Sequence, residues 1–402
     1  MSDEVLEGWS AMPFSEAVAI NPKRLLPKKG LVPFLDMANL PINGADVSVL
    51  TTREVGSGGS KFQLGDTLFA RITPCAENGK LGFVRSISGG QVAQGSTEFI
   101  VMTGRDGLTL PEYVRYLAGW SVVRDQAIGL MEGTSGRQRI PIWAFDKIEV
   151  FTPPLEEQRR ISEVLRSVDR AIACLKNSCE GYERLRSSEV ETFACDSLNG
   201  GSQALGSLID SMDSGWSPDC DNEPAHFNEW GVLKTSAVTW DGFDDKQSKR
   251  LPSNLIPRPS LTVARNDILI TRAGPVDRTG VVAIVKSTDG KRMLSDKLIR
   301  IRAVENVVYP SVLAELLKSN IVQSQLIALK SGMAASQTNI SQKSLRNVSV
   351  PLASRRAQAE FSTRIMNLDN VLDLERQALL KVCGLRNLIS GDLLSGRVRI
   401  SV

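Results

Sequence analysis

Histidine is almost missing from this chain. His226 stands alone among 402 residues, so a histidine-based triad is unsupported and a histidine-rich zinc site is excluded within the chain. The six cysteines, Cys75, Cys174, Cys179, Cys195, Cys220 and Cys383, show no paired spacing and no CxxC. That excludes the usual thiolate metal and redox motifs and fits a reduced, cytoplasmic setting. No apolar run approaches the ~20 residues needed to span a bilayer. The opening MSDEVLEGWS is acidic and lacks the apolar centre of a signal peptide. Charge of one sign is also scarce. The 48 Lys and Arg against 45 Asp and Glu leave a net +3, which permits a nucleic-acid partner without requiring one.

Motifs of catalysis are missing as well. Asn78-Gly79-Lys80 lacks the upstream glycine of a phosphate loop, because Pro74 stands there. Thr152-Pro153-Pro154-Leu155 has the two prolines of the adenine-methyltransferase motif but neither its asparagine nor its aromatic. The acidic stretches 219–223 and 241–245 read as solvated loops. These absences point to a binding protein rather than an enzyme.

What the chain does have is a long amphipathic stretch, made twice. Ile161, Leu165, Val168, Ile172, Leu175, Cys179 and Tyr182 follow one another in steps of four and three, the seam spacing of a coiled coil. Pro153 and Pro154 suit a helix start, Glu156 and Glu157 suit its first turn, and Asn199-Gly200-Gly201 suits a stop. About forty helical residues would span roughly 60 Å. Two hundred residues on, Phe361, Ile365, Leu368, Leu372, Leu379 and Val382 repeat the steps, with Gln158 answered by Gln358, Asp169 by Asp369 and Leu185 by Leu385. Glu375 alone breaks the second seam. Narrow stripes favour one shared coiled coil; the alternative is that each helix packs on its own domain.

Ahead of each helix a globular α+β plan also repeats. Residues 65–71 match 266–272, Leu81–Val84 answers Thr279–Val282, and helical spacing at Pro111–Ile128 is answered at Pro310–Leu329. The loop Gly133–Ile140 is answered by Gly332–Ile340, with a strand after each leading into the long helix. Turn chemistry at Asn43-Gly44, 56–59 and Gly89-Gly90 separates short apolar runs. Apart from a few anchor positions, the two copies differ widely.

Pro153–Ile161, PPLEEQRRI, running into a long helix after a Gly-Thr-x-x-x-Gln loop, resembles the conserved region of specificity subunits of Type I restriction–modification enzymes. GWSAMPFSEAVAINPK (8–23), VPFLDMANL (32–40), GDTLFARITPCAENGKLG (65–82), WGVLKTSAV (230–238), RNDILITRAGPVDRTGVV (265–282) and GDLLSGRVRI (391–400) are similar to further segments of that family. The second copy departs from the pattern: Pro351–Gln358 keeps the proline, leucine and glutamine but not the acidic pair.

The resemblance implies an α+β fold with an internal pseudo-two-fold repeat. Two target recognition domains (1–151 and 201–351) would be separated by a pair of long antiparallel coiled-coil helices (152–200 and 352–402). It implies a non-catalytic subunit that reads a bipartite, asymmetric double-stranded DNA site. Two modification subunits using S-adenosylmethionine would methylate adenine N6, and restriction subunits using ATP and Mg would be further partners. No cofactor is expected in this chain. Side chains suited to base edges or phosphates make Arg71, Thr73, Lys80, Arg137, Gln138 and Arg139 the candidate DNA contacts of the first domain. Those of the second are Arg272, Arg278, Gln337 and Asn339. Two other readings stay open: a recognition subunit of a methyltransferase–nuclease system without a translocase, and a coiled-coil scaffold that reads no sequence.

Overall fold

The computed structural model describes residues 7–400 apart from 49, 88–91, 135, 221, 289 and 335–336; the turn expected at Gly89-Gly90 lies outside the described residues. Helix starts and stops follow the local chemistry. The first long helix runs Leu155–Leu198, directly after the two prolines, and the second runs Arg355–Leu394. Gly201, with φ +98°, turns the chain out of the first, a backbone conformation that favours glycine. Among the described residues no helix is long and apolar enough to cross a membrane.

The chain divides into two compact units, Met1–Lys176 with Gln377–Val402, and Asn177–Arg376. Each long helix therefore starts in one unit and ends in the other. Packing thus groups each globular domain with half of each helix, a division that cuts across the sequence boundaries at 152, 201 and 352.

In the first unit, Phe99–Thr103, Thr67–Ala70 and Leu81–Phe83 form the middle of a five-stranded sheet edged by Ala19–Ile20 and Ala45–Asp46. A four-stranded sheet orders Thr51–Glu54, Leu31–Leu35, Ala93–Gly95 and Ser60–Phe62. Ser10–Pro13 pairs antiparallel with Glu149–Thr152, the strand that feeds the long helix. One core joins Phe69, Ile100, Tyr113 and Phe145 from the domain to Ile161 and Leu165 from the first helix and Leu393 and Leu394 from the second. The seam here closes onto the domain as well as along the helices.

The second unit rebuilds this plan. Ile209–Ser214, Leu298–Ala303, Ile268–Thr271 and Val282–Ile284 form its main sheet, and Ser202–Ala204 pairs with Ser349–Pro351. Its core gathers Ile268, Ile299 and Leu313 with Val190 and Phe193 of the first helix and Phe361 and Ile365 of the second. Phe193 stacks on Phe361 at 3.9 Å between ring centres. The middle seam residues Val168, Ile172, Leu175 and Leu368 are half-buried, while Cys179 and Leu372 are buried. In each unit the start of one long helix lies against the end of the other, so the pair is antiparallel, and both expected packings occur together.

Asp66 and Asp267 explain one matched motif in structural terms. Each is buried and accepts a backbone N–H three residues earlier, from Gln63 at 2.8 Å and Ala264 at 2.9 Å. The residue just before each carboxylate, Gly65 or Asn266, has positive φ. The motif is a turn that starts a core strand.

Two expectations need correction. Helical spacing at 111–128 and 310–329 gives two short helices in each case, Pro111–Gly119 then Ser121–Gly129, and Pro310–Lys318 then Asn320–Ala328. Trp120 and Ser319 adopt extended backbone at the break. Gly119 and Ser121, Ser319 and Asn320 are weak helix formers, so the periodicity survives while the axis turns. The second is the loop after Ser331, which is a strand pair, Ser331–Ala334 with Gln337–Asn339.

Candidate nucleic-acid interface

The strand Thr67–Ala70 ends at Arg71, and its loop meets the segment 132–140 from far along the chain. Ile72 and Arg139 form an antiparallel bridge. Thr73 N–H donates to the Gln138 carbonyl at 3.0 Å, and Gln138 N–H donates back to Thr73 Oγ1 at 3.1 Å. Gln138 thus has its backbone clamped and its side-chain amide free among the described residues. Arg139 is exposed but grips Glu98 through Nε and Nη2 at 3.0 and 2.8 Å, and that carboxylate pushes the guanidinium further toward its charged form. Arg137 is exposed. Arg71 is half-buried, with Nε buried and unpartnered. Lys80 points elsewhere: its ammonium donates to the Met37 and Ala38 carbonyls at 2.6 and 2.9 Å, holding that loop against the sheet.

The second unit brings the equivalent segments together as strands. Ala273 and Gly274 pair with Asn339 and Thr338, and Ile340 N–H donates to the Arg272 carbonyl at 2.9 Å, as Ile140 N–H does to Arg71 at 2.8 Å. Arg272 Nη1 donates to Ser214 Oγ at 3.1 Å and Nε to Asn339 Oδ1 at 3.4 Å. Gln337 is exposed and Arg278 half-buried. In both units, then, residues drawn from separate loops form one rim of hydrogen-bonding and cationic side chains. That chemistry suits base edges and phosphates. Among the described residues no cluster of His, Cys, Asp or Glu could hold a metal ion.

Each globular domain is tied to its long helix by a buried glutamine. Gln158 accepts from Leu110 N–H and donates to the Leu108 and Pro153 carbonyls, each at 2.8 Å. Gln358 accepts from Tyr309 N–H and donates to Val307 and Ala353, at 3.1, 3.1 and 2.9 Å. Of the acidic pair absent from the second copy, Glu157 has a structural task in the first. Glu157 is 1% exposed and accepts from Trp9 Nε1 at 2.9 Å and from Arg399 Nε at 2.8 Å. Burial would push its carboxyl up, but the Arg399 and Trp9 hydrogen bonds hold it below the ordinary value. It ties the N-terminal strand and the C-terminal tail to the helix start. Its counterpart, Ala357, packs against the apolar core of the second unit instead.

No family model matches the chain. Over 471 aligned positions it is 26% identical to the EcoEI specificity subunit of a Type I restriction enzyme from Escherichia coli, covering 92% of this chain and 79% of that one. The MjaVIII specificity subunit from Methanocaldococcus jannaschii is 22% identical over 271 positions, 64% of this chain and 63% of its own. Its relatives are specificity subunits of Type I restriction enzymes. The fold agrees. A chain solved in work on complex assembly and conformational transition of the Type I restriction–modification system matches 99% of this chain and 100% of its own, at 15% identity and TM-score 0.62. The Type I S subunit from M. genitalium matches 98% of this chain and 97% of its own, at 14% identity and TM-score 0.57.

The rims hold candidates legible in the sequence, but the junctions of this specificity-subunit fold were missed. Asp169 and Asp369 showed as a repeat; Arg186 and Arg386 repeat at the same interval. In the first unit Arg386 Nε donates to Asp169 Oδ1 at 3.2 Å, and Tyr116 donates to Oδ2 at 3.1 Å. In the second, Arg186 Nε donates to Asp369 Oδ1 at 2.6 Å, and its Nη atoms chelate Glu315 at 3.1 and 2.9 Å. The signal was the two-hundred-residue interval itself, which an arginine outside the seam also obeys.

Proposed function

We propose that this chain is the DNA-reading subunit of a Type I restriction–modification complex, recognising a bipartite, asymmetric duplex site with one half assigned to each unit. The observation that carries this reading is the rim built twice on one scaffold with different side chains. Arg137, Gln138 and Arg139, with Arg71 and Thr73, present one set of donors and acceptors; Arg272, Arg278, Gln337 and Asn339 present another. A scaffold that reads nothing has no use for two different rims in matching places. Arg can bond guanine, and Asn or Gln adenine, in the major groove, while the remaining cations neutralise phosphate. Lys80, tied to the loop 37–38, contributes charge rather than base contact.

On this reading the chain performs no chemistry and needs no cofactor of its own. Two modification subunits with S-adenosylmethionine methylate adenine, restriction subunits with ATP and Mg are further partners, and the assembly works in the cytoplasm. The test is an exchange of residues 1–150 for the matching domain of another specificity subunit, followed by methylome sequencing of cells that carry the chimera. One half of the methylated motif should change and the other stay. An unchanged motif, or a change in both halves, would contradict one domain reading one half-site.

A further inference from the structure

The two Asp–Arg pairs leave the same group open. With Nε held by the aspartate, each arginine keeps a fork of two Nη atoms, a shape that fits carboxylate or phosphate. In the second unit that fork is filled by Glu315 of the helix Pro310–Lys318. Aligning Pro310–Lys318 with Pro111–Gly119 puts Tyr116 where Glu315 stands, and Tyr116 turns to Asp169 instead. Among the described residues no carboxylate meets the fork of Arg386.

Arg386 lines a groove of about 840 Å³ in the first unit, together with Arg115, Arg166, Arg170, Lys176 and Lys80. Seven basic side chains line it against two acidic ones. Both acids, Asp46 and Asp169, are already ion-paired with arginines at 2.7–3.4 Å. Arg115, whose side chain is 6% exposed, keeps a buried Nε without a partner. The counterpart in the second unit, about 550 Å³, is lined by six acidic and four basic side chains. One scaffold has produced two grooves of opposite sign.

We infer that the first unit's groove is an anion site in which Arg386, flanked by Arg170 and Lys176, takes backbone phosphates of duplex DNA. The inference rests on the DNA-reading function proposed above. A single carboxylate would need one fork. The cations from Arg166 to Lys176 extend over ten residues, about 15 Å of helix, which suits a polyanion. Lys80, whose ammonium is held by the Met37 and Ala38 carbonyls, closes the loop that begins at Arg71 and also lines the groove, so one loop of the candidate rim ends at the groove's edge. Contacts to phosphate add affinity and register without sequence information.

The test is a salt titration of DNA binding by the full chain assembled with its modification subunits. The probes are a duplex carrying the methylated motif and one without it. Arg386→Gln, and separately Arg170→Gln with Lys176→Gln, should weaken both duplexes alike. Each lost phosphate contact should make the slope of log affinity against log salt shallower by about 0.9. The methylated motif should not change. Lys286→Gln, which removes a cation from the second unit's groove, should leave the slope alone. Arg170 and Lys176 are exposed, so their variant stays informative even if Arg386→Gln disturbs the fold. Unchanged slopes in folded, assembled variants would overturn the inference, as would failure of folded variants to assemble with the modification subunits, which would mean a partner's carboxylate fills the fork. A wild-type complex that binds no DNA would overturn the DNA-reading function itself.

Discussion

The two helix junctions start from one ion pair and end with opposite chemistry. In the first unit the domain helix approaches with donors, Tyr116 at 3.1 Å and Arg115 at 3.4 Å from Asp169 Oδ2. In the second it approaches with an acceptor, Glu315, whose two oxygens take both Nη atoms of Arg186. An Asp–Arg pair presents an acceptor face and a donor face at once, so domains with unlike surfaces can be seated on matching helices. The difference also decides whether the arginine's fork meets a charge from the domain helix. Arg186, Glu315, Asp369, Lys318 and Lys286 form a connected network, whereas Tyr116 brings a neutral hydroxyl that burial pushes well above its ordinary pKa.

The comparison breaks most sharply at Glu315. Replacing it with Ala strips the half-buried Arg186 of its chelating carboxylate and leaves Lys318 unpaired. Removing one partner of a buried pair costs about 3 kcal/mol. Urea unfolding of Glu315→Ala should show a loss of that size; a loss under about 1 kcal/mol would mean the network is solvent-screened in the way exposed pairs are.

Acid should expose the same asymmetry with a smaller effect. Burial alone would raise the Glu315 and Asp369 carboxyls, but Lys318 and Arg186 hold the first below its ordinary 4.5, and Arg186 and Lys286 hold the second below 3.8. Carboxyls lowered in the folded state add stability that is fully present above the unfolded values and is lost as pH falls through the folded ones. Melting temperature should therefore drop as pH is lowered below about 4.5, and Glu315→Gln should flatten that drop. Parallel curves for the two proteins would remove Glu315 from the acid response.

Tyr116→Phe should be the mildest change. It deletes one hydroxyl while Arg115 and Arg386 still meet Asp169, so a loss of about 1 kcal/mol or less is expected. Thermal unfolding of the full chain checks it. A loss as large as that of Glu315→Ala would erase the contrast between the junctions.

Much of the architecture was legible because it is periodic. Steps of four and three along 161–182 and 361–382 announce two long helices, and the matches of Gln158 with Gln358 and Asp169 with Asp369 announce a duplication. The helix breaks at Trp120 and Ser319 were hidden because a turn of the axis leaves the local apolar spacing intact. The rim partners were hidden for another reason. Thr73 and Gln138 are 65 residues apart, and nothing local in either loop names the other.

By itself, then, the sequence determined the elements and their repetition, because apolar spacing, prolines at helix starts and glycines at turns act within a few residues. It also determined that the two globular copies would carry different surfaces. Which half of each helix belongs to which domain, that Glu157 is occupied by Trp9 and Arg399, and that one arginine fork meets Glu315 while its repeat lines a basic groove were decided by tertiary structure. Those outcomes depend on side chains brought from distant positions into one low-dielectric place, where the exchange of Tyr116 for Glu315 decides whether the arginine's fork is filled.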